Sequence, residues 1–151
     1  MFRSMLVICA AGASVLGCST LEERHPSISA STRQSLPGTK NYSAAVAADN
    51  LVFLSGTLGR GADGKVVEGG IRAETRQAME NLKRNLEKMN LSMRDVVKVN
   101  VYITQVEHFG PMSDVYITYF PSDPPARTTV VTGMPDKAGN IEIEMIAVRS
   151  R

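Results

Sequence analysis

The segment IEIEMIAV, Ile141 to Val148, constrains the fold more than any other stretch of this chain. Its first half alternates, so Glu142 and Glu144 fall on one face and Ile141, Ile143 and Met145 on the other. From Met145 to Val148 it is apolar throughout, the pattern of a central strand buried on both faces. Such a strand needs neighbours on either side and a helical layer to cover it.

The rest of the chain supplies both. Asn41 to Ala48 and Leu51 to Leu58 read as two strands joined by the turn pair Asp49-Asn50, and Asp63-Gly64 marks a second tight turn. Ile71 to Met89 reads as a helix: Ile71, Ala78, Leu82, Leu86 and Met89 recur at helical spacing, with Glu80, Lys83, Arg84, Glu87 and Lys88 on the other face. Val96 to Thr104 follows as a β-branched strand, Phe109 to Phe120 as a second helix, and Arg127 to Thr132 as a further strand. The order ββ-α-β-α-ββ predicts an α+β sandwich, a sheet with two helices packed on one face. The other sheet face stays open, and an open face that is not polar finds a partner subunit.

A chain of 151 residues, 43% hydrophobic, can build one domain with a real core and is short for two. Cys9 and Cys18 both precede the expected domain, and His25 and His108 are the only histidines. A disulfide framework and a Cys- or His-rich metal site are therefore excluded from the body of the protein. A net charge of +2 is too small to imply nucleic-acid binding.

The first residues read as a targeting segment. Arg3 precedes an apolar run, Met5 to Leu16, of signal-peptide length, which ends in VLGC. That ending resembles the lipobox of bacterial lipoproteins. The resemblance implies a signal peptide over residues 1–17 and acylation of Cys18, with Ser19 directing an exported, periplasm-facing chain to the outer membrane. Residues 18–38, rich in serine, threonine and proline, read as a flexible tether, and 39–151 as the domain.

Several motifs carry candidate chemistry. Gly59, Gly61 and Gly64 match G-x-G-x-x-G, but KVVEGG follows where a phosphate-binding helix would have to begin, so the motif reads as a hairpin turn. His108 beside Glu107 reads as a solvated pair. Glu142 has two readings, a solvated carboxylate or one desolvated enough for proton transfer near neutral pH. Arg127, between a double proline and the run TTVV, is either a surface cation or a fork held for a carboxylate.

Three stretches taken together carry a family resemblance: LVFLSG, the core of PPARTTV, and IEIE with its apolar end. In that order and spacing, roughly from Tyr42 to Arg149, the chain resembles the RidA/YjgF family. The resemblance implies a chorismate-mutase-like fold assembled as a homotrimeric barrel, with a ligand pocket at each subunit interface. It also implies hydrolysis of enamines and imines of the 2-aminoacrylate/2-iminopropanoate type to 2-oxo acids and ammonia, without metal or organic cofactor. Arg127 matches the carboxylate-binding arginine and Glu142 the acid that positions or activates water. Tyr42, Ser55, Gly56, Ser113 and Thr129 match pocket positions. Two positions depart from the family pattern: Ser113 stands where the archetypal deaminases have asparagine, and Thr57 where glutamine is common. The alternative is a non-catalytic module that binds a small carboxylate or a partner on the same trimeric fold. A ribonuclease reading fits poorly with the near-neutral charge and few aromatics, so no nucleic acid is expected, and membrane attachment is expected through the lipid alone.

Overall fold

A computed structural model of the protein describes residues 33–149. The expected signal segment, Cys18 and most of the expected tether lie outside these residues. Eight elements follow in order: β1 (Arg33–Leu36), β2 (Ala45–Ala48), β3 (Leu51–Leu58), α1 (Gly70–Lys88), β4 (Val96–Ile103), α2 (Phe109–Tyr116), β5 (Ala126–Val131) and β6 (Ile141–Val148). The strands form one sheet in the order β1-β2-β3-β6-β4-β5. The α+β sandwich expected from the sequence is what forms, and β6 is indeed central, antiparallel to both β3 and β4.

Two boundaries differ from expectation. Arg33–Leu36 lies within the stretch read as tether, yet it pairs antiparallel with β2 as an edge strand, so the ordered domain begins before residue 39. The second helix ends at Tyr116, and Ile117–Tyr119 tightens into a 3₁₀ turn before the chain reaches Phe120. The Asp49-Asn50 turn is as expected: Ala48 faces Leu51 across a two-residue loop, and Asp49 takes the left-handed φ of 55° that aspartate tolerates. The glycine-rich stretch is a hairpin. Arg60 bridges to Val66, and Gly64 turns the chain at φ 78°.

Strand alternation and helix periodicity meet in one core. Ile141, Ile143, Met145 and Ala147 of β6 are all at most 1% exposed and pack under Ala78, Met79, Leu82 and Leu86 of α1. Each isoleucine, leucine or methionine side chain among them contributes about 1.5–3 kcal/mol on burial. Val99, Val101 and Ile103 of β4 extend the same face. The intervening residues Glu142, Glu144, Asn100 and Tyr102 point to the opposite, open face, which also carries Phe53 and Val130, each 43% exposed.

One buried acid holds the helix layer to the sheet. Glu74 of α1 is 2% exposed and accepts hydrogen bonds from the Asn140 backbone N–H at 2.7 Å and from Asn140 Nδ2 at 2.5 Å. It thereby pins the turn that leads into β6. Glu74→Ala leaves the part-buried Asn140 donors without this partner, and a loss of about 1–3 kcal/mol is expected in chemical denaturation. An unchanged denaturation midpoint would rule this latch out.

Candidate active site

Arg127 owes its direction to strand register. β5 runs parallel to β4, with Arg127 opposite Val99 and Thr129 opposite Val101. Both partners are buried on the helix side, so Arg127 and Thr129 point there too. The Arg127 guanidinium carbon lies 4.8 Å from the centre of the Tyr116 ring and 5.4 Å from that of Phe109, both on α2. Aromatic faces favour a cation at this separation. Among the described residues no carboxylate forms a salt bridge with it, so the fork keeps its donors.

Polar atoms around Arg127 are similarly uncommitted. Ser113 Oγ, Tyr116 OH and Thr129 Oγ1 are buried without a hydrogen-bond partner. Buried polar groups are ordinarily paired, and three orphans beside one free guanidinium mark a place for a polar ligand. An open pocket of ≈ 430 Å³ lies here, lined by Ser113, Asp114, Tyr116, Ile117, Pro124, Pro125 and Arg127, the Asp114 carboxylate being paired with Arg72 at 2.6 Å. Burial pushes the Tyr116 phenol up, partly offset by the Arg127 charge, so it stays a neutral donor. Pro124 and Pro125, just before β5, line the same pocket. Tyr116 and Phe109 were read from sequence only as parts of a helix, although aromatic residues near an arginine are the signal that could have found them.

Glu142 lies elsewhere. It is opposite Tyr102 across the β4–β6 ladder, on the open face, whereas Arg127 is on the helix face. One protomer therefore does not bring the two together. Burial first, and then the negative charge of Glu144, raises the Glu142 carboxyl above the ordinary range. Of the two sequence readings, the partly desolvated one holds. Glu144 is itself committed, accepting from Asn100 Nδ2 at 2.7 Å and from Tyr102 OH at 3.2 Å.

The remaining residues group around Glu142. A bulge between Leu54 and Thr57 breaks the β3–β6 register. There Gly56 sits so close to Glu142 that a Cβ at this position would overlap Oε1. Only glycine leaves the carboxylate its space. Tyr42, Ser55, Gly56 and Thr57 share a smaller pocket of ≈ 200 Å³. Ser55 is a wall rather than a donor to ligand, since its hydroxyl donates to the Ser43 carbonyl at 2.7 Å. The expected residues thus fall into two half-sites: Arg127, Ser113 and Thr129 with Tyr116 at one, and Glu142 with Gly56 against it at the other, Gly56 also lining the small pocket that holds Tyr42 and Ser55.

Comparison with known proteins places this arrangement. The family described as Endoribonuclease L-PSP, the RidA/YjgF family, matches residues 32–149. The chain belongs to that family. The match begins one residue before β1, in accord with the earlier domain start. Protein HMF1 of Saccharomyces cerevisiae is 38% identical over 107 residues, covering 71% of this chain and 83% of that protein. A Bos taurus protein named 2-iminobutanoate/2-iminopropanoate deaminase is 38% identical over 109 residues, 72% of this chain and 80% of its own length. The crystal structure of RidA from an Antarctic Psychrobacter superposes with a TM-score of 0.70 at 33% identity, covering 78% of this chain and 98% of that one. The RidA/YjgF fold seen there is the mixed sheet with two helices described above.

Proposed function

We propose that this chain is a hydrolytic imine deaminase that works as a homotrimer, converting small 2-imino acids and their enamine tautomers to 2-oxo acids and ammonia. The observation that carries the reading is the free, ring-stacked Arg127 fork among three unpartnered hydroxyls. The separation of the half-sites argues for assembly. Helix-face Arg127 and open-face Glu142 can serve one substrate only if they come from neighbouring copies, and the apolar residues Phe53 and Val130 on the open face favour such packing. The similarity to a bovine protein named as an imine deaminase supports the substrate class.

The chemistry follows from the groups. Arg127 holds the substrate carboxylate bidentately and so fixes the adjacent C=N carbon. Glu142 of a neighbouring copy takes a proton from water as its oxygen adds to that carbon, and passes this proton to the imine nitrogen. The resulting carbinolamine collapses: Glu142, again ionised, takes the hydroxyl proton and hands it to the amino nitrogen, the carbonyl forms as the C–N bond breaks, and ammonia leaves with the 2-oxo acid. A carboxyl whose pKa is raised above its ordinary range by burial and by Glu144 suits a group that must accept and return a proton in one cycle.

The test generates 2-iminobutanoate in situ with an amino-acid oxidase and traps what persists with semicarbazide. The protein is expected to lower semicarbazone formation below the buffer control. A trace that matches buffer, with 2-oxobutanoate still bound in a titration, would replace this reading by that of a carboxylate-binding module. The expected lipid anchor at Cys18 and export to the periplasm complete the proposal, resting on the order of charge, apolar run and cysteine in the sequence.

A further inference from the structure

A third cavity, of ≈ 550 Å³, lies beside α1 and shares no lining residue with either pocket described above. Its volume is that of a small-molecule site. Three charged side chains line it: Lys83 of α1, Arg94 in the 3₁₀ turn before β4, and Asp123 in the loop between α2 and β5. Among the described residues none of the three forms a salt bridge. Arg94 is held through its backbone. Its N–H donates to the Ser92 hydroxyl at 3.3 Å, and Ser92 is itself held by Asp95, so the guanidinium keeps its donors.

The floor of the cavity is apolar and fixed. Phe120 is buried, and Met93 and Tyr119 pack against the same core. The Tyr119 hydroxyl is spent on α1, donating to Glu80 at 2.8 Å and to the Arg76 carbonyl at 3.3 Å. Burial first, and then the bond to Glu80, pushes this phenol up to about 12, so Tyr119 offers a ligand its ring and no free donor. The loop that carries Asp123 is restrained as well. Pro121 and Pro124 stand on either side of it, and Asp123 turns the chain at a left-handed φ of 49° that aspartate tolerates.

Two unpaired cations, one unpaired carboxylate and an apolar floor complement a molecule with a carboxylate, an ammonium and an apolar body. A simple carboxylic acid would meet repulsion from Asp123, and a simple amine would meet it from Lys83 and Arg94. We propose that this cavity binds a free α-amino acid with an apolar side chain. Its carboxylate lies on Lys83 and Arg94, its ammonium on Asp123, and its side chain against Met93, Tyr119 and Phe120. The site is separate from the Arg127 pocket and does not depend on the deaminase reading.

Titrations with L-phenylalanine, 3-phenylpropanoate and 2-phenylethylamine, followed by amide chemical shifts, test the site. The second compound lacks the ammonium and the third lacks the carboxylate. L-Phenylalanine is expected to bind about tenfold more tightly than either, the factor one net hydrogen bond supplies. Arg127→Ala, which removes the other carboxylate fork, should leave its affinity unchanged. Asp123→Asn keeps a residue that tolerates the left-handed turn and should erase the preference over 3-phenylpropanoate. Lys83 and Arg94 are exposed, so their joint replacement by alanine should spare the fold while weakening binding about tenfold. Equal affinity of the wild-type protein for L-phenylalanine and 3-phenylpropanoate would overturn the proposal, as would the absence of saturable binding. Binding lost in Arg127→Ala but kept in the Lys83→Ala/Arg94→Ala protein would move the amino acid to the Arg127 pocket and equally overturn it.

Discussion

Arg127→Ala is expected to abolish both carboxylate binding and turnover, with kcat/KM falling by ~10²-fold or more. Two charge-assisted hydrogen bonds to a carboxylate contribute about 1.5–3 kcal/mol each, and the variant forfeits both. Arg127→Lys restores the charge but not the fork. An ammonium cannot present two parallel donors to two carboxylate oxygens, nor stack as a plane against Tyr116 and Phe109. It should recover no more than about tenfold of the loss. The fold should survive either change, because the guanidinium has no salt-bridge partner whose charge would be stranded among the described residues. Titration with 2-oxobutanoate, run beside the imine assay and a thermal melt, reads binding, rate and folding separately. Full binding by Arg127→Ala would remove the arginine from the site.

The same arginine shows how far the sequence carries. Its neighbours PP and TTVV identified a strand with a stiffened approach, and the resemblance to a known family gave the residue a role. Which face of the sheet it occupies was not legible. That depends on β5 pairing parallel with β4 so that Arg127 lies opposite Val99, a contact 28 residues away in sequence. Glu142 was easier, because period-two alternation sets Glu142 against Ile143 whatever the strand's neighbours are. Only the two registers together show that the residues lie on opposite faces. β1 was missed for another reason. Arg33–Leu36 is almost wholly exposed, has no alternation to read, and is a strand only because β2 offers it backbone partners. Nothing in the helix periodicity singled out Glu74, whose partner Asn140 is brought in by a distant turn. Periodic apolar segments announce themselves; polar residues whose role depends on a distant partner do not.

Glu142→Gln is expected to separate catalysis from binding. The amide has nearly the carboxylate's shape, and Arg127 is untouched, so 2-oxobutanoate binding should persist. Losing the proton acceptor should lower kcat by ~10²- to 10⁴-fold. The pH dependence follows from the raised carboxyl. The base is present only above its pKa, so wild-type activity should fall on acidification at a higher pH than an ordinary glutamate would impose. Burial is the larger cause and Glu144 the second, so Glu144→Gln should move that acid limb to lower pH without removing it. Stability should respond in the opposite sense to activity. Because the folded pKa lies above the unfolded one, the protonated carboxyl favours the folded state at low pH, and that contribution is lost as pH rises through the folded pKa. At neutral pH the ionised Glu142 therefore works against folding, and Glu142→Gln should melt higher than wild type, the difference closing in acid. A variant slower but more stable at neutral pH is the signature of a residue placed for proton transfer at the expense of folding. A Glu142→Gln protein with wild-type kcat would show that the water is activated by another group.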